Sequence, residues 1–191
     1  MRMASRVAFF ANLAFLAVAG LLVSTSPGQS IEGDGTFAVI SDLHFDPFDP
    51  PELAAALAGS APTTWRATFA SVDNQAMSRS GRDTNHALLV SSLAAFAKRA
   101  ADADFAIVPG DFLAHEFEEK AAKALNVAPT SQVVAEMTVK TTVFVADLLA
   151  EALAGKPAIV ALGNNDSSCG DYRIEPGGRY LAATRETVRR L

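Results

Sequence analysis

Three groups of metal-capable side chains recur along this chain: Asp42-Leu43-His44; Gly110-Asp111, with His115 four residues beyond the aspartate; and Gly163-Asn164-Asn165-Asp166. Together they offer carboxylate and amide oxygens beside imidazole nitrogen, a donor mixture suited to Mn, Fe or Zn. Each group alone also has an ordinary structural explanation. Asp42 can cap a turn, His44 can be a core histidine with both nitrogens satisfied, Asp111 can cap a helix after Gly110, and Asn-Asn-Asp is common turn chemistry. Their meaning depends on whether the fold brings them together.

Each group follows a short apolar run: Thr36-Phe-Ala-Val-Ile-Ser41, Phe105-Ala-Ile-Val-Pro109 and Ala158-Ile-Val-Ala-Leu162. The runs are five or six residues long and lack strict alternation, the pattern of strands buried on both faces of a parallel sheet. Pro109 stands at a strand exit, where a missing N–H is tolerated. Between the runs lie helical patterns. Leu89, Leu93, Phe96 and Ala100 recur at helical spacing after Asp83-Thr84-Asn85, a cluster able to supply the N-cap. Gln132 to Ala154 reads as a second helix despite a β-branched middle, and Gly155-Lys156-Pro157 stops it. Glu116 to Leu125 reads as a shorter helix ended by Asn126. The segment from Phe45 to Gly81, with four prolines, reads as loop and short helix near the mouth of a site. No internal repeat is present. The order is strand, crossover, strand, crossover, strand, which predicts a βαβαβ unit of an α/β domain. In such sheets ligands bind at the carboxyl ends of the strands, where all three groups fall.

Half of the 191 residues are apolar and 19% are charged, which fits a globular domain and excludes a disordered tail. A net charge of −5 without a basic block argues against coating nucleic acid. A single cysteine, Cys169, excludes an intrachain disulfide; it is either inert or half of a bridge to a partner outside this chain. The N-terminus reads separately: Arg2 and Arg6, an apolar run from Val7 to Val23, then small and polar residues to Ser30. That is the pattern of a secretory signal peptide over residues 1–30, with an uncleaved membrane anchor as the alternative. Cleavage near Ser30 removes both arginines and takes the net charge from −5 to −7. The expectation is a periplasmic or secreted protein whose domain spans residues 31–191.

The order Asp-x-His, Gly-Asp, Gly-Asn-x-Asp resembles the calcineurin-like metallophosphoesterase family. The His four residues after Asp111, with Ser41-Asp-Leu-His-Phe-Asp-Pro-Phe-Asp-Pro50, Asp83-Thr84-Asn85 and Asn165-Asp-Ser-Ser-Cys-Gly-Asp-Tyr172, is similar to its acid-sphingomyelinase-like branch. The resemblance implies a layered α/β sandwich of which this chain is the N-terminal βαβαβ portion, truncated before the family's later motifs. It implies two divalent metal ions (Zn, Mn or Fe): Asp42 and His44 on the first, Asp111 bridging both, Asn164 on the second. A metal-activated hydroxide would attack phosphorus, and His115 would protonate the departing oxygen. The implied substrates are phosphoesters: a small phosphodiester or phosphomonoester, a nucleotide, polyphosphate or a lipid head group. Membrane contact would arise only through an uncleaved leader or a lipid substrate.

Two departures accompany the resemblance. Asn165 replaces the family's usual His, leaving it an amide to hydrogen-bond a phosphate oxygen. The only histidines are His44, His86 and His115, so the family's last three histidine ligands have no counterpart here. The second ion would then hold Asp111 and Asn164 alone. A non-catalytic remnant of the fold that binds metal weakly is therefore the rival reading. A nucleotide-binding α/β module is a third, but no Gly-x-Gly-x-x-Gly loop supports it. His86 reads as a packing or solvated residue in a first helical turn, Trp65 as a buried anchor, and Arg185 to Arg190 as a solvated helical face.

Overall fold

The computed structural model describes residues 34–73, 76–173 and 175–191. The expected leader, residues 1–30, lies outside them. Strands β1 (Phe37–Val39), β2 (Phe105–Val108) and β3 (Ala158–Val160) form a parallel sheet in the order β1-β2-β3. Phe37 pairs with Phe105, and Ile107 with both Val39 and Ile159. The helices are α1 (Ala54–Ala58), α2 (Trp65–Ala70), α3 (His86–Arg99), α4 (Phe117–Leu125), α5 (Gln132–Leu153) and α6 (Arg179–Val188). The chain is thus a mixed α/β domain with crossovers between parallel strands, as the sequence predicts at that level.

Helix α3 begins where Asn85 accepts a hydrogen bond from the Leu88 N–H, so Asn85, and not Asp83, is its cap. Its Leu89, Leu93 and Phe96 are buried. Helix α5 keeps its β-branched middle because tertiary packing outweighs propensity there. Thr138 and Thr142 turn their hydroxyls onto the carbonyls of Ala135 and Thr138, while Phe144, Val145 and Leu149 enter the core. The Thr142 hydroxyl also meets Tyr180 Oη at 2.7 Å, fastening α6 to α5. Among the described residues, no helix is long and apolar enough to cross a membrane.

The segment before α3 is more than a loop. Trp65 is fully buried, and its indole N–H donates to the Leu57 carbonyl at 3.1 Å. Phe45, also fully buried, packs against Phe69 and Phe144. Because Phe45 follows His44 directly, the core holds the first site segment from below. Truncating such a phenylalanine costs about 3–5 kcal/mol.

One expectation is corrected. The strands are not buried on both faces. Ala38, Ile40, Ala106, Ala158 and Val160 pack toward the helices. The opposite face carries Phe37, Val39 and Ile159, each more than half exposed, with Phe37 stacked on Phe105. Among the described residues the helices cover one side, and an apolar run reads the same whether one face or both are covered.

Candidate metal centre

The three strand exits meet at the carboxyl edge of the sheet. Beyond β1 the backbone runs along the exit of β2: Asp42 N–H donates to the Gly110 carbonyl (3.2 Å), His44 N–H to Asp111 (2.8 Å) and Phe45 N–H to Phe112 (2.9 Å). These bonds seat Asp42 and His44 beside Asp111. All three adopt left-handed backbone, with φ of 56°, 41° and 55°. Asp and His enter that region more readily than most residues, but the conformation still costs on the order of 1–3 kcal/mol apiece. The ladder of backbone bonds holds it.

Gly110 and Gly163 let the exits of β2 and β3 approach. Gly110 has φ of 98°, and a Cβ there would overlap the backbone of Leu162 and Gly163. A Cβ on Gly163 would overlap the Asp111 carboxylate. Asp166 then ties both exits together. Its Oδ1 accepts from the N–H groups of Phe112 (2.8 Å) and Leu113 (3.2 Å), its Oδ2 from those of Asp111 (2.9 Å) and Gly163 (2.8 Å). Burial pushes the Asp166 carboxyl above its ordinary range, and the Gly163, Leu113 and Phe112 N–H groups pull against that rise. Sequence reasoning placed Asp166 in the third metal-capable group, with turn chemistry as the alternative; three of its four donors, Asp111, Phe112 and Leu113, lie more than fifty residues away, which no local pattern reveals.

One donor atom from each of Asp42, His44 and Asp111 falls within 4.8 Å of the other two. His44 is prepared as a ligand. Its Nδ1 lies 3.2 Å from the Leu113 carbonyl oxygen, which can only accept, and 3.4 Å from the Asn165 amide nitrogen, which can only donate; the shorter contact favours the proton on Nδ1 and leaves Nε2 its lone pair. That Nε2 stands 3.6 Å from Asp42 Oδ1. The Asp111 Oδ1 accepts the Asn165 N–H at 2.9 Å. Asn164 is exposed and its side-chain nitrogen bonds Asn165 Oδ1; Asn165 is buried, with its amide against His44. The donor set therefore fits one ion through three residues.

A cleft of about 1000 Å³ opens over this edge, lined by Asp42, His44, Asp46, Asp83, His115 and Lys120 among others. Asp111, Asn164 and Asn165 are not on its wall. His115 is exposed, its ring stacked on that of His44 with centroids 4.1 Å apart and planes 19° from parallel. The His115 Nδ1 lies 2.7 Å from Asp83 Oδ1. Lys120 of α4 bonds the other Asp83 oxygen and stands 3.5 Å from Asp46. Burial raises the Asp83 pKa, but the hydrogen bonds from Lys120 and His115 outweigh it and hold the carboxyl below its ordinary value. Burial dominates at Asp46, which stays raised despite Lys120.

His44, Asp83 and His115 also cluster within 4.8 Å. Near-parallel stacked imidazoles direct their in-plane lone pairs side by side instead of onto a common point. This second cluster is thus poorly shaped for one ion, and His115 stacks on His44 without joining the Asp42, His44 and Asp111 group. Sequence reasoning assigned no site role to Asp46, Asp83 or Lys120: Asp46 and Asp83 stood only in stretches that carry the family resemblance, and Asp83 in the capping cluster before α3. Their relevance arises from the pairing of Phe45 with both Thr84 and Leu113, a contact across three segments.

His86, the remaining histidine, stacks on Phe69 at 4.3 Å and lines a different cavity with Arg66, Val90 and Leu93. Cys169 is a free thiol near Ser167. Compared with known proteins, the chain matches no family model and no curated protein.

Proposed function

We propose that this chain is an exported, metal-dependent phosphoesterase of the calcineurin-like, acid-sphingomyelinase-like type, built on that family's layered sandwich. The observation that carries the reading is the convergence of Asp42, His44 and Asp111 at one sheet edge, with His115 at the cleft and outside that ligand set. Asp42, His44 and Asp111 would hold the first divalent ion, and Asp111 with Asn164 the second. Bound Zn, Mn or Fe supplies Lewis-acid charge that makes water nucleophilic near neutral pH and stabilises the phosphoryl oxygens. The protein's part is to position. His44 keeps Nε2 unprotonated through its Leu113 hydrogen bond, Asp166 fixes the Asp111 loop, and His115 gives a proton to the departing oxygen. A phosphoester of a small alcohol, a nucleotide, polyphosphate or a lipid head group is the substrate class, hydrolysed in the cleft.

The donor count favours a second reading, a non-catalytic form that binds one ion weakly. Among the described residues the second position has Asp111 and Asn164 alone, fewer than a tightly held catalytic ion takes. On this second reading the purified chain takes up one Mn or Zn at high metal concentration and hydrolyses an aryl phosphodiester negligibly. Calorimetric metal titration and the hydrolysis assay, each repeated with Asp111→Ala and with chelator, separate the outcomes. Robust turnover abolished by Asp111→Ala favours the enzyme; one ion without turnover favours the non-catalytic form; no uptake at all sinks both. If turnover is found, His115→Ala should lower it roughly a hundredfold with metal content unchanged. Export is tested by N-terminal sequencing of the product from a Gram-negative host, where soluble cytoplasmic protein still beginning at Met1 would overturn it.

A further inference from the structure

Asp83 and His115 lie 32 residues apart, and each is hung on the same buried residue. Phe45 bridges to Thr84 on one side and to Leu113 on the other. Asp46 N–H donates to the Thr84 carbonyl at 2.8 Å, and Thr84 N–H to His44 at 3.0 Å, so Asp83 sits beside the exit of β1. On the other side Ala114 N–H donates to Phe45 at 3.3 Å, and Glu116 N–H to Asp171 Oδ2 at 3.1 Å. His115 is held between those two anchors.

The Asp83 carboxylate cannot turn freely. One oxygen receives the His115 Nδ1 contact at 2.7 Å, the other receives Lys120 Nζ. Its side chain is only 11% exposed, whereas that of His115 is 59% exposed. A carboxylate accepts and does not donate, so the shared proton resides on His115 Nδ1. Nε2, across the ring, has no hydrogen-bond partner among the described residues, and the ring lines the cleft.

We propose that Asp83, held by Lys120, is a positioning residue that fixes His115 in its Nδ1–H form and leaves Nε2 as the one ring nitrogen able to exchange a proton with a molecule in the cleft. The geometry stands by itself; its chemical consequence rests on the phosphoesterase reading. In that reading water adds to phosphorus and releases a proton to solvent, from which the imidazole is later reprotonated, as the P–O bond to the leaving group breaks. The departing oxygen takes the proton from Nε2 of the imidazolium, which becomes a neutral imidazole still protonated on Nδ1. Asp83 remains a carboxylate throughout and touches no reacting atom. Its role differs from packing, because it selects which ring nitrogen is free.

Lys120 gives the proposal a sharp test. In Asp83→Asn the amide must face an ammonium on one side and an imidazole on the other. An ammonium only donates, so the amide oxygen turns to Lys120 and the NH2 group turns to His115. Nδ1 must then accept, and the ring proton moves to Nε2. Removing the ammonium as well, in Asp83→Asn with Lys120→Met, frees the amide to turn its oxygen back. The measurement is a two-bond proton–nitrogen correlation spectrum of the full chain with ¹⁵N-labelled histidine, at a pH where the His115 ring is neutral, assigned by loss of its signals in His115→Gln. The expected result is a pyrrole-like Nδ1 in the wild type and in Lys120→Met, a pyrrole-like Nε2 in Asp83→Asn, and a return of the Nδ1 pattern in the double variant. A wild-type ring protonated on Nε2, or a tautomer unmoved by Asp83→Asn, overturns the proposal. Metal titration of the same samples reports separately on Asp42, His44 and Asp111, so loss of the phosphoesterase reading is distinguishable from loss of this one.

Discussion

Replacing Asp166 with Asn tests whether one buried carboxylate holds the metal-site loops together. The two side chains have nearly the same shape, so the change is electronic. Each Asp166 oxygen accepts two backbone N–H groups, and among their donors are Asp111, Phe112, Leu113 and Gly163. An asparagine offers one oxygen and one NH2 group. Whichever way it turns, one pair of N–H donors faces an NH2 group and loses its acceptor. Hydrogen bonds to a charged partner contribute about 1.5–3 kcal/mol each, so two lost bonds amount to about 3 kcal/mol after partial relaxation. The carboxylate's burial offsets some of this in the wild type, since desolvation already raises its pKa. With a urea dependence of about 2 kcal/mol per molar, we predict that the unfolding midpoint falls by roughly 1.5 M. Far-ultraviolet circular dichroism against urea reads that shift, provided the transition is two-state. If the amide turns its NH2 toward Asp111 and Gly163, metal affinity falls as well, because Asp111 loses its backbone anchor. A midpoint within roughly 0.3 M of the wild type and an unchanged metal titration would refute the reasoning. The loops would then be held by the strand-exit ladder alone.

Two further predictions follow from packing. Gly163→Ala places a methyl group on the Asp111 carboxylate, so we expect weaker metal uptake in calorimetric titration, with Gly59→Ala, at the end of α1, as a distant control. Equal uptake in the Gly163 variant would show that the loop can yield. Burial, with a smaller contribution from Arg66, lowers the His86 pKa below 6.5. The unfolded chain therefore binds a proton more readily than the folded one, and this stability is present above pH 6.5 and lost as pH falls toward the folded pKa. His86→Phe, which keeps the stack on Phe69, should remove that part of the pH dependence; urea midpoints at pH 5 and pH 7.5 that change equally in wild type and variant would contradict it.

Both strand identity and helix placement were legible in the chain because they depend on local pattern. The run Phe105–Val108 and the spacing of Leu89, Leu93 and Phe96 appear as expected, and Gln132–Leu153 is helical within a residue of its sequence boundary. Asp42, His44 and Asp111 could be named as partners because parallel strands deliver their exits to one edge. What the sequence could not carry is anything set by contacts across segments. An apolar run such as Phe37–Val39 does not say whether a second layer covers it, and its outer face is open among the described residues. Asp166 looks like turn chemistry until its carboxylate is seen gathering N–H groups from another loop. Asp83 looks like a cap until the Phe45–Thr84 pairing carries it to His115 and Lys120. Residue type and spacing determined which groups could do chemistry; only tertiary structure decided which nitrogen of His44 and of His115 is free. That choice belongs to hydrogen-bond partners, Leu113 and Asp83, that lie 69 and 32 residues away.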